Sequence, residues 1–458
     1  MLLLIVLVAL GIRIAYVAGA KSGPCRIALP NGVVVGSSPS KCTGPNDQVF
    51  YNGEANSVAA GHGFNEPFWT VTHPGQKAPP AADHPPLTVF VLAPVSWLVD
   101  HPPLSWVIDE PLHDHVREHR YTMVVLGTLL VLLIGLLGRR IGGDAVGLVA
   151  AGIAAVNPNM WVNDGLVMSE TVTALTVVGA MWAAIALWER PTLRRAAVLG
   201  LLCGLAALGR AELILFVPLL AIVVACTVPK PWSDRTALAL AAVVMSFLVI
   251  APWVGFNLVR FHDRTFISTN DGIALLGSNC DPVYFGNGIG LTSLGQCLES
   301  PTPPGDQSQV ASRYRSKAFH YMSAHKGRVP LVMLARIGRT WSVFRPGDMI
   351  DFNVGEDRDR WVTRLGLIFY YPTLLLGIVG GVELWRRRRR VWWVLLVPAI
   401  AVTIGVALTY GQTRFRAAAE PSLALFAAVG IVTLLRALTG PGERERAPEP
   451  EREPAVTA

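Results

Sequence analysis

Long apolar runs alternate with short polar clusters along most of the chain, and few of the runs contain a charge. A helix needs about 20 apolar residues to cross a bilayer. Ten runs approach that length: 2–20, 121–138, 142–156, 165–188, 196–208, 213–228, 236–256, 362–384, 391–410 and 417–438. The pattern predicts an all-α polytopic membrane protein with about ten transmembrane helices. Asn157-Pro158-Asn159 ends the third run, and the two short runs meet at Arg210-Ala211-Glu212. The first run ends Ala18-Gly19-Ala20, like a signal-peptide cleavage site. Arg13 inside its apolar core and the missing basic leader favour a retained membrane helix, with a start set slightly late.

Two polar stretches interrupt the runs. Residues 21–119 form a loop rich in Pro, Gly, His and Trp, and residues 260–361 form a second long loop. The expected organisation is a membrane module over 1–259 that includes the first loop, a loop region over 260–361, C-terminal helices over 362–438, and a tail over 439–458. That tail is rich in Glu, Arg and Pro and is expected to be disordered and cytoplasmic.

Composition agrees with the pattern: 52% of the 458 residues are hydrophobic and 16% charged, and the mean hydropathy is +0.44. The net charge of +7 sits at segment ends rather than in a patch, which argues against nucleic acid as a partner. Arg139-Arg140, Arg190, Arg194, Arg195, Lys230, Arg235, Arg386 to Arg390 and Arg436 all fall on one side of this threading. Cytoplasmic loops carry such excess, so both long loops are expected outside the plasma membrane. Cysteines point the same way. Cys25 and Cys42 share the first loop, Cys280 and Cys297 share the second, and Cys203 and Cys226 lie in apolar runs. Two local pairs confined to outer loops read as disulfides on an oxidising side, each contributing about 3 kcal/mol.

Polar residues gather at the outer boundary of the runs. Asp47 and His84 come from the first loop, and Asn163, Asp164 and Glu170 from the start of the fourth run. Arg210 and Glu212 form an outer turn, Trp253 and Asn257 end the seventh run, and Arg414 and Arg416 flank the last outer turn. Ionisable groups at this depth are costly and mark functional sites, although any one of them also reads as an interfacial anchor. Asp47, Tyr51 and Ala55 share one face of a short predicted helix. Asp47 after Pro45-Asn46 also reads as a helix cap. One base and several arginines suit transfer from an anionic lipid: the base activates an acceptor and the arginines stabilise a departing phosphate. No metal spacing is present, since His62, His73, His84 and His101 are isolated loop histidines.

Seven stretches resemble, in order, the GT-C glycosyltransferases that use polyprenyl-phosphate sugars, a class including protein O-mannosyltransferases and aminoarabinose transferases of the family 39 type, with actinobacterial relatives. They are NDQVFYNGEANSVAAGHGF, DHPPLTVFVLAP, RYTMVVLGTLLVLLIGLLGRRIGG, MSETV, LGRAELILFVPLL, APWVGFNLVRF and YGQTRFRAAAEPSLALFAAVG, spread over residues 1–438. The resemblance implies a GT-C fold with an outward-facing site and Asp47 as catalytic base. It implies a second catalytic carboxylate in Glu170 and substrate-binding roles for His84 of the His-Pro-Pro motif and for Arg210 and Arg414 near the donor phosphate. Tyr51, Asp164, Glu212, Asn257 and Arg416 complete the expected substrate site. The first-loop motif has a single Asp where relatives have an acidic pair, and the seventh run lacks the Arg that many relatives carry before Asn257. No cofactor is expected, though a divalent metal stays open.

The expected reaction is an inverting transfer of a sugar from a polyprenyl-phosphate carrier to an acceptor hydroxyl on a glycan, lipid or protein. An apolar groove near Trp253 or Trp392-Trp393 would hold the isoprenoid. Two other classes compete: a lipid-linked oligosaccharide ligase or oligosaccharyltransferase, with a diphosphate donor, and a non-catalytic transporter or flippase. Transporters show internal repeats and polar breaks near the midplane. Here the polar residues gather at the rim, and no repeat is evident.

Overall fold

The structure is a computed structural model describing residues 1–21, 27–28, 34–35, 47–67, 69, 73, 75–101, 115–387 and 390–439. Its first helices are α1 (Leu2–Ala20), α2 (Asp47–Ala59), α3 (Leu87–Asp100), α4 (Val116–Gly142), α5 (Asp144–Val156), α6 (Pro158–Asp164), α7 (Glu170–Glu189) and α8 (Leu193–Gly209). A stretch over Ala211–Thr227 winds as 3₁₀, then π, then α-helix. There follow α9 (Trp232–Arg260), α10 (Asn270–Gly277), α11 (Gln307–Ala324), α12 (Val329–Thr340), α13 (Pro346–Gly355), α14 (Arg360–Arg386), α15 (Val391–Leu408) and α16 (Glu420–Thr439). A two-residue antiparallel pair, β1 (Ile27–Ala28) with β2 (Val34–Val35), lies in the first loop.

Seven of these helices, α1, α4, α7, α9, α14, α15 and α16, are long and apolar enough to cross a membrane. The chain is a multi-pass membrane protein. An eighth span is counted if α5 and α6, bent by 58° at Asn157, are taken as one. The sequence pattern counts ten, and the difference lies in two short segments. At 17 residues α8 reaches about 25 Å, the lower end of what crosses a bilayer core near 30 Å, and the 211–227 stretch changes helix type twice. Helix α3 was expected as loop, because Pro85-Pro86 and Pro94 obscure a run of 14 residues.

The main core joins α4, α5, α7, α8, α15 and α16 through Ile134, Ala151, Val177, Leu199, Val402 and Leu425. Helices α14 and α16 approach so closely that a Cβ at Gly380 would lie 1.9 Å from the Phe426 carbonyl oxygen, and one at Gly430 2.1 Å from that of Leu376. Small residues at such crossings let backbones meet where dispersion must hold helices together in lipid. A second core seats α2 and α3 on the bundle through Tyr51, Ala55, Val89, Leu92, Val172 and Trp253.

The basic residues collect at one end of the bundle. Arg140 binds Glu189 at 2.5 Å, and a cleft of 300 Å³ brings together Arg140, Glu383, Arg387 and Arg436. Glu170 begins α7 and Glu189 ends it, so those two carboxylates stand about 30 Å apart. The elements between α9 and α14 surround the Glu170 end. There Cys280 and Cys297 form the expected disulfide, with Cα atoms 5.8 Å apart. The Cys25–Cys42 pair and the tail from 440 onward lie outside the described residues.

Candidate active site

Three elements bring ionisable groups together at the Glu170 end. Asp47 is the first residue of α2, Glu170 the first of α7, and Arg414 lies in the 3₁₀ turn Thr413–Ala418 between α15 and α16. Tyr51, one turn after Asp47 on the same face, is buried, and its ring lies 5.0 Å from that of His84. Helix α2 is thus fixed with its carboxylate inward.

Arg414 is the hub. Its Nη2 donates to Asp47 Oδ2, its Nη1 to Glu356 Oε2 at 2.5 Å, and its Nε lies 3.5 Å from Glu170 Oε1. His84 Nε2 lies 3.3 Å from the other Asp47 oxygen. Arg210 bonds Glu212 at 2.7 Å and Glu170 at 3.4 Å. The Phe415 ring stands between the two guanidinium groups, 4.6 Å from Arg210 Cζ and 5.6 Å from Arg414 Cζ, close enough for cation–π attraction. Arg358 completes the cluster, donating to Asn163 Oδ1 at 2.6 Å. Burial would raise the Asp47 carboxyl, but Arg414, and then His84, outweigh it and hold it well below the usual carboxylate range. Asp47 is therefore an anion at neutral pH, and its basicity depends on where Arg414 points.

Asp47, Tyr51, His84, Glu170, Arg210, Glu212 and Arg414 therefore come together as expected from sequence. Three others do not. Asp164 pairs with the buried Arg13 of α1 at 2.6 Å and accepts from Thr171 at 2.6 Å. A Cβ at Gly127 would lie 2.1 Å from Asp164 Oδ2, so that glycine makes room for the carboxylate. Arg416 binds Glu420 at 2.7 Å and stacks 3.6 Å from the Tyr370 ring centre. Asn257 donates to the Phe266 carbonyl and accepts from Arg260, both at 3.0 Å. In this structure these three bond to neighbouring protein groups outside the Arg414 cluster. Glu356 and Arg358 were missed. Their only signal was the unbroken charged run Glu356-Asp357-Arg358-Asp359-Arg360 just ahead of an apolar segment.

Among the described residues no three His, Cys, Asp or Glu side chains are arranged to hold a metal; the site carboxylates converge on Arg414 instead. The three guanidinium groups fit an anion such as a phosphate, which they can bind through paired N–H donors.

One buried carboxyl lies beyond the cluster. Glu54, two turns along α2 from Asp47, is fully buried, and neither oxygen has a hydrogen-bond partner. Burial, with Asp83 adding to it, pushes its pKa up to about 9. Nearby, Gln307 Nε2 donates to Glu66 at 2.6 Å and Asp83 at 2.8 Å. The folded state thus holds a proton that the unfolded chain releases above about pH 4.3. The resulting stability is fully present below that value and lost as pH rises through 9. Glu54→Gln, which cannot ionise, is expected to flatten the fall of the thermal midpoint across that window. Parallel curves for variant and wild type would contradict a neutral Glu54.

The cavity of 440 Å³ between α14, α15 and α16 is apolar, lined by Trp341, Trp385, Trp392, Leu396, Ala419 and Phe426. Ala419, one of its lining residues, directly follows the turn Thr413–Ala418 that carries Arg414. Of the tryptophans expected to line a groove, Trp392 does so. Trp393 bonds the Leu219 carbonyl at 3.1 Å and Trp253 the Ile267 carbonyl at 2.7 Å.

Residues 100–256 match the dolichyl-phosphate-mannose-protein mannosyltransferase family. No curated protein matches the chain. Among solved structures, it is similar to the archaeal oligosaccharyltransferase AglB from Archaeoglobus fulgidus in complex with an inhibitory peptide and a dolichol-phosphate. Identity is 15%, the TM-score 0.54, and 95% of this chain and 51% of that one are covered. A second structure of the Archaeoglobus fulgidus enzyme, tethered to an acceptor peptide with an NVT sequon, gives 16% identity and a TM-score of 0.54 over 95% and 50%. The apo form gives 13% and 0.53 over 96% and 52%. The chain spans about half the length of these structures, and at such identities the likeness is one of fold.

Proposed function

We propose that this chain, a member of the GT-C superfamily by its fold and by the match over residues 100–256, moves a sugar from a polyprenyl-phosphate carrier to an acceptor hydroxyl outside the plasma membrane. The observation that carries this reading is the convergence of the partly exposed Asp47 carboxylate with the inward-facing side chains of Arg210, Arg358 and Arg414, in a bundle that also holds an apolar cavity. The cavity takes the isoprenoid, and the guanidinium groups take the phosphate. As Arg414 turns to the phosphate, Asp47 loses its strongest counter-charge and gains basicity. It then accepts the proton of the acceptor hydroxyl, whose oxygen attacks the anomeric carbon in line. The bond from that carbon to the phosphate oxygen breaks, polyprenyl phosphate leaves, and the anomeric configuration inverts. A phosphate leaves readily, so no strong general acid is required. The acceptor is a glycan, lipid or protein hydroxyl.

The test is a transfer assay with the full chain in nanodiscs, supplied with pooled polyprenyl-phosphate sugars. Release of polyprenyl monophosphate with inverted product supports the reading. Reaction only with diphosphate-linked donors would make the chain oligosaccharyltransferase-like instead, and export of intact lipid-linked sugar without transfer would make it a flippase.

Sidedness has its own expected outcome. A membrane-impermeant thiol reagent should label a cysteine introduced at Gly75 or Ser308, but not one at Ala237. The reverse pattern would put the site in the cytoplasm.

A further inference from the structure

The cluster around Arg414 already meets each guanidinium group with a carboxylate, and His84 stands against Asp47. Four carboxylates, Asp47, Glu170, Glu212 and Glu356, face three guanidinium groups, Arg210, Arg358 and Arg414. A phosphodiester entering this site adds a further negative charge. Partly buried like charges repel strongly, so one carboxylate has to yield its place.

Three of the four are held on rigid elements. Glu170 is in the first turn of a membrane helix with 1% of its side chain exposed. Asp47 opens a helix fixed by Tyr51 and His84. Glu212 has its own partner in Arg210. Glu356 differs: it stands in the turn after α13, not on a helix packed in the bundle, and its charged contacts are Arg414 at 2.5 Å and Arg358 at 3.9 Å.

The backbone beneath Glu356 is well anchored. Along the strap from 356 to 359, side chains alternate between two neighbourhoods. Glu356 and Arg358 face the cluster. Lys21 Nζ donates to the Asp357 carbonyl at 2.5 Å and pairs with Asp359 at 3.2 Å, and Tyr16 donates to Asp359 at 2.9 Å. Asp357 takes a left-handed φ of 65°, which turns the chain between the two faces and is uncommon outside glycine. The strap is thus bolted to the end of α1, while the ion pairs that the Glu356 side chain makes are to Arg414 and Arg358. Arg358 meanwhile keeps Nη1 buried without a hydrogen-bond partner, a donor in need of an acceptor.

We propose that Glu356 is a displaceable stand-in for the donor phosphate: it occupies Arg414 in the resting site and swings out when the phosphate binds between Arg414 and Arg358. Resting on the lipid-phosphate reading above, this assigns Arg358 as a second phosphate-binding arginine and Glu356 as the residue that sets donor affinity. The stand-in gives the Arg414 Nη1 group an acceptor when no donor is present, at the cost of competing with the donor.

The test is equilibrium binding of farnesyl phosphate, with farnesol as the uncharged control, to the full chain in nanodiscs. Glu356→Gln is expected to bind farnesyl phosphate about tenfold tighter than wild type, the scale of one hydrogen bond to a charged group. Farnesol binding should not change. Adding Arg358→Gln to that variant should abolish the gain. Glu356→Ala, which keeps no hydrogen bond to Arg414, should show the same gain and guards against a merely altered fold. Wild-type binding that is unchanged or weakened in both Glu356 variants would overturn the stand-in and make Glu356 an anchor of Arg414. If neither wild type nor any variant prefers farnesyl phosphate over farnesol, the lipid-phosphate reading itself falls, and the stand-in with it.

Discussion

Asp47→Asn is expected to lower turnover by roughly 10²–10⁴, the usual loss when a general base is removed, with donor binding retained. Asn preserves the size of the side chain and is as good a helix N-cap as Asp, so a capping role predicts almost no effect. The structure sharpens the prediction, because the carboxylate is held well below its usual range in the resting site by Arg414 and His84. If the donor draws Arg414 away, Asp47 titrates higher in the complex than in the free protein. The acid limb of kcat should then lie at higher pH than that of kcat/KM, since the first reports the complex and the second the free protein. Coincident limbs, or near wild-type turnover in Asp47→Asn, would remove Asp47 from the reaction and make Glu170 the next candidate.

Arg414→Lys is expected to lower kcat/KM by about 10²–10³, comparable to losing one donor that stabilises charge in the transition state. The change keeps the charge but not the fork. One ammonium on a flexible stem cannot span Asp47, Glu356 and Glu170, which Arg414 reaches through three different nitrogens. The loss should exceed that in Arg210→Lys, because Arg210 is tied to Glu212 by its own Nε. Equal activity in Arg414→Lys and wild type, measured at saturating acceptor, would show that no bidentate phosphate contact is made there.

Much of this architecture was legible in the chain because lipid imposes simple rules. A run such as 362–384 had to be a helix, and α14 is one. Span count was less legible, since the pattern records apolarity and not whether a helix runs unbroken, as Ala211–Thr227 does not. At the site, composition identified costly charges but not their partners. Arg13 was noticed as an interruption, yet the Asp164 it neutralises lies 151 positions away, and only the packing of α1 against α4 and α6 joins them. The same limit applied to Arg416 and Glu420, one helical turn apart and already satisfied by each other. Glu356 and Arg358 escaped notice because a hydrophilic run ahead of a membrane helix ordinarily reads as a solvated boundary. Their inward direction comes from the anchoring of Asp357 and Asp359 to Lys21, a contact that no local pattern encodes.

The central claim is that this chain consumes a sugar carried on a polyprenyl monophosphate. It is tested most directly by comparing lipid-linked sugars in membranes of cells with the protein, without it, and with Asp47→Asn in its place. The account predicts that one polyprenyl-monophosphate sugar accumulates both without the protein and with Asp47→Asn, and falls to its normal level when wild type is restored. Unchanged monophosphate-linked sugars in all three, or accumulation of a diphosphate-linked oligosaccharide instead, would contradict it.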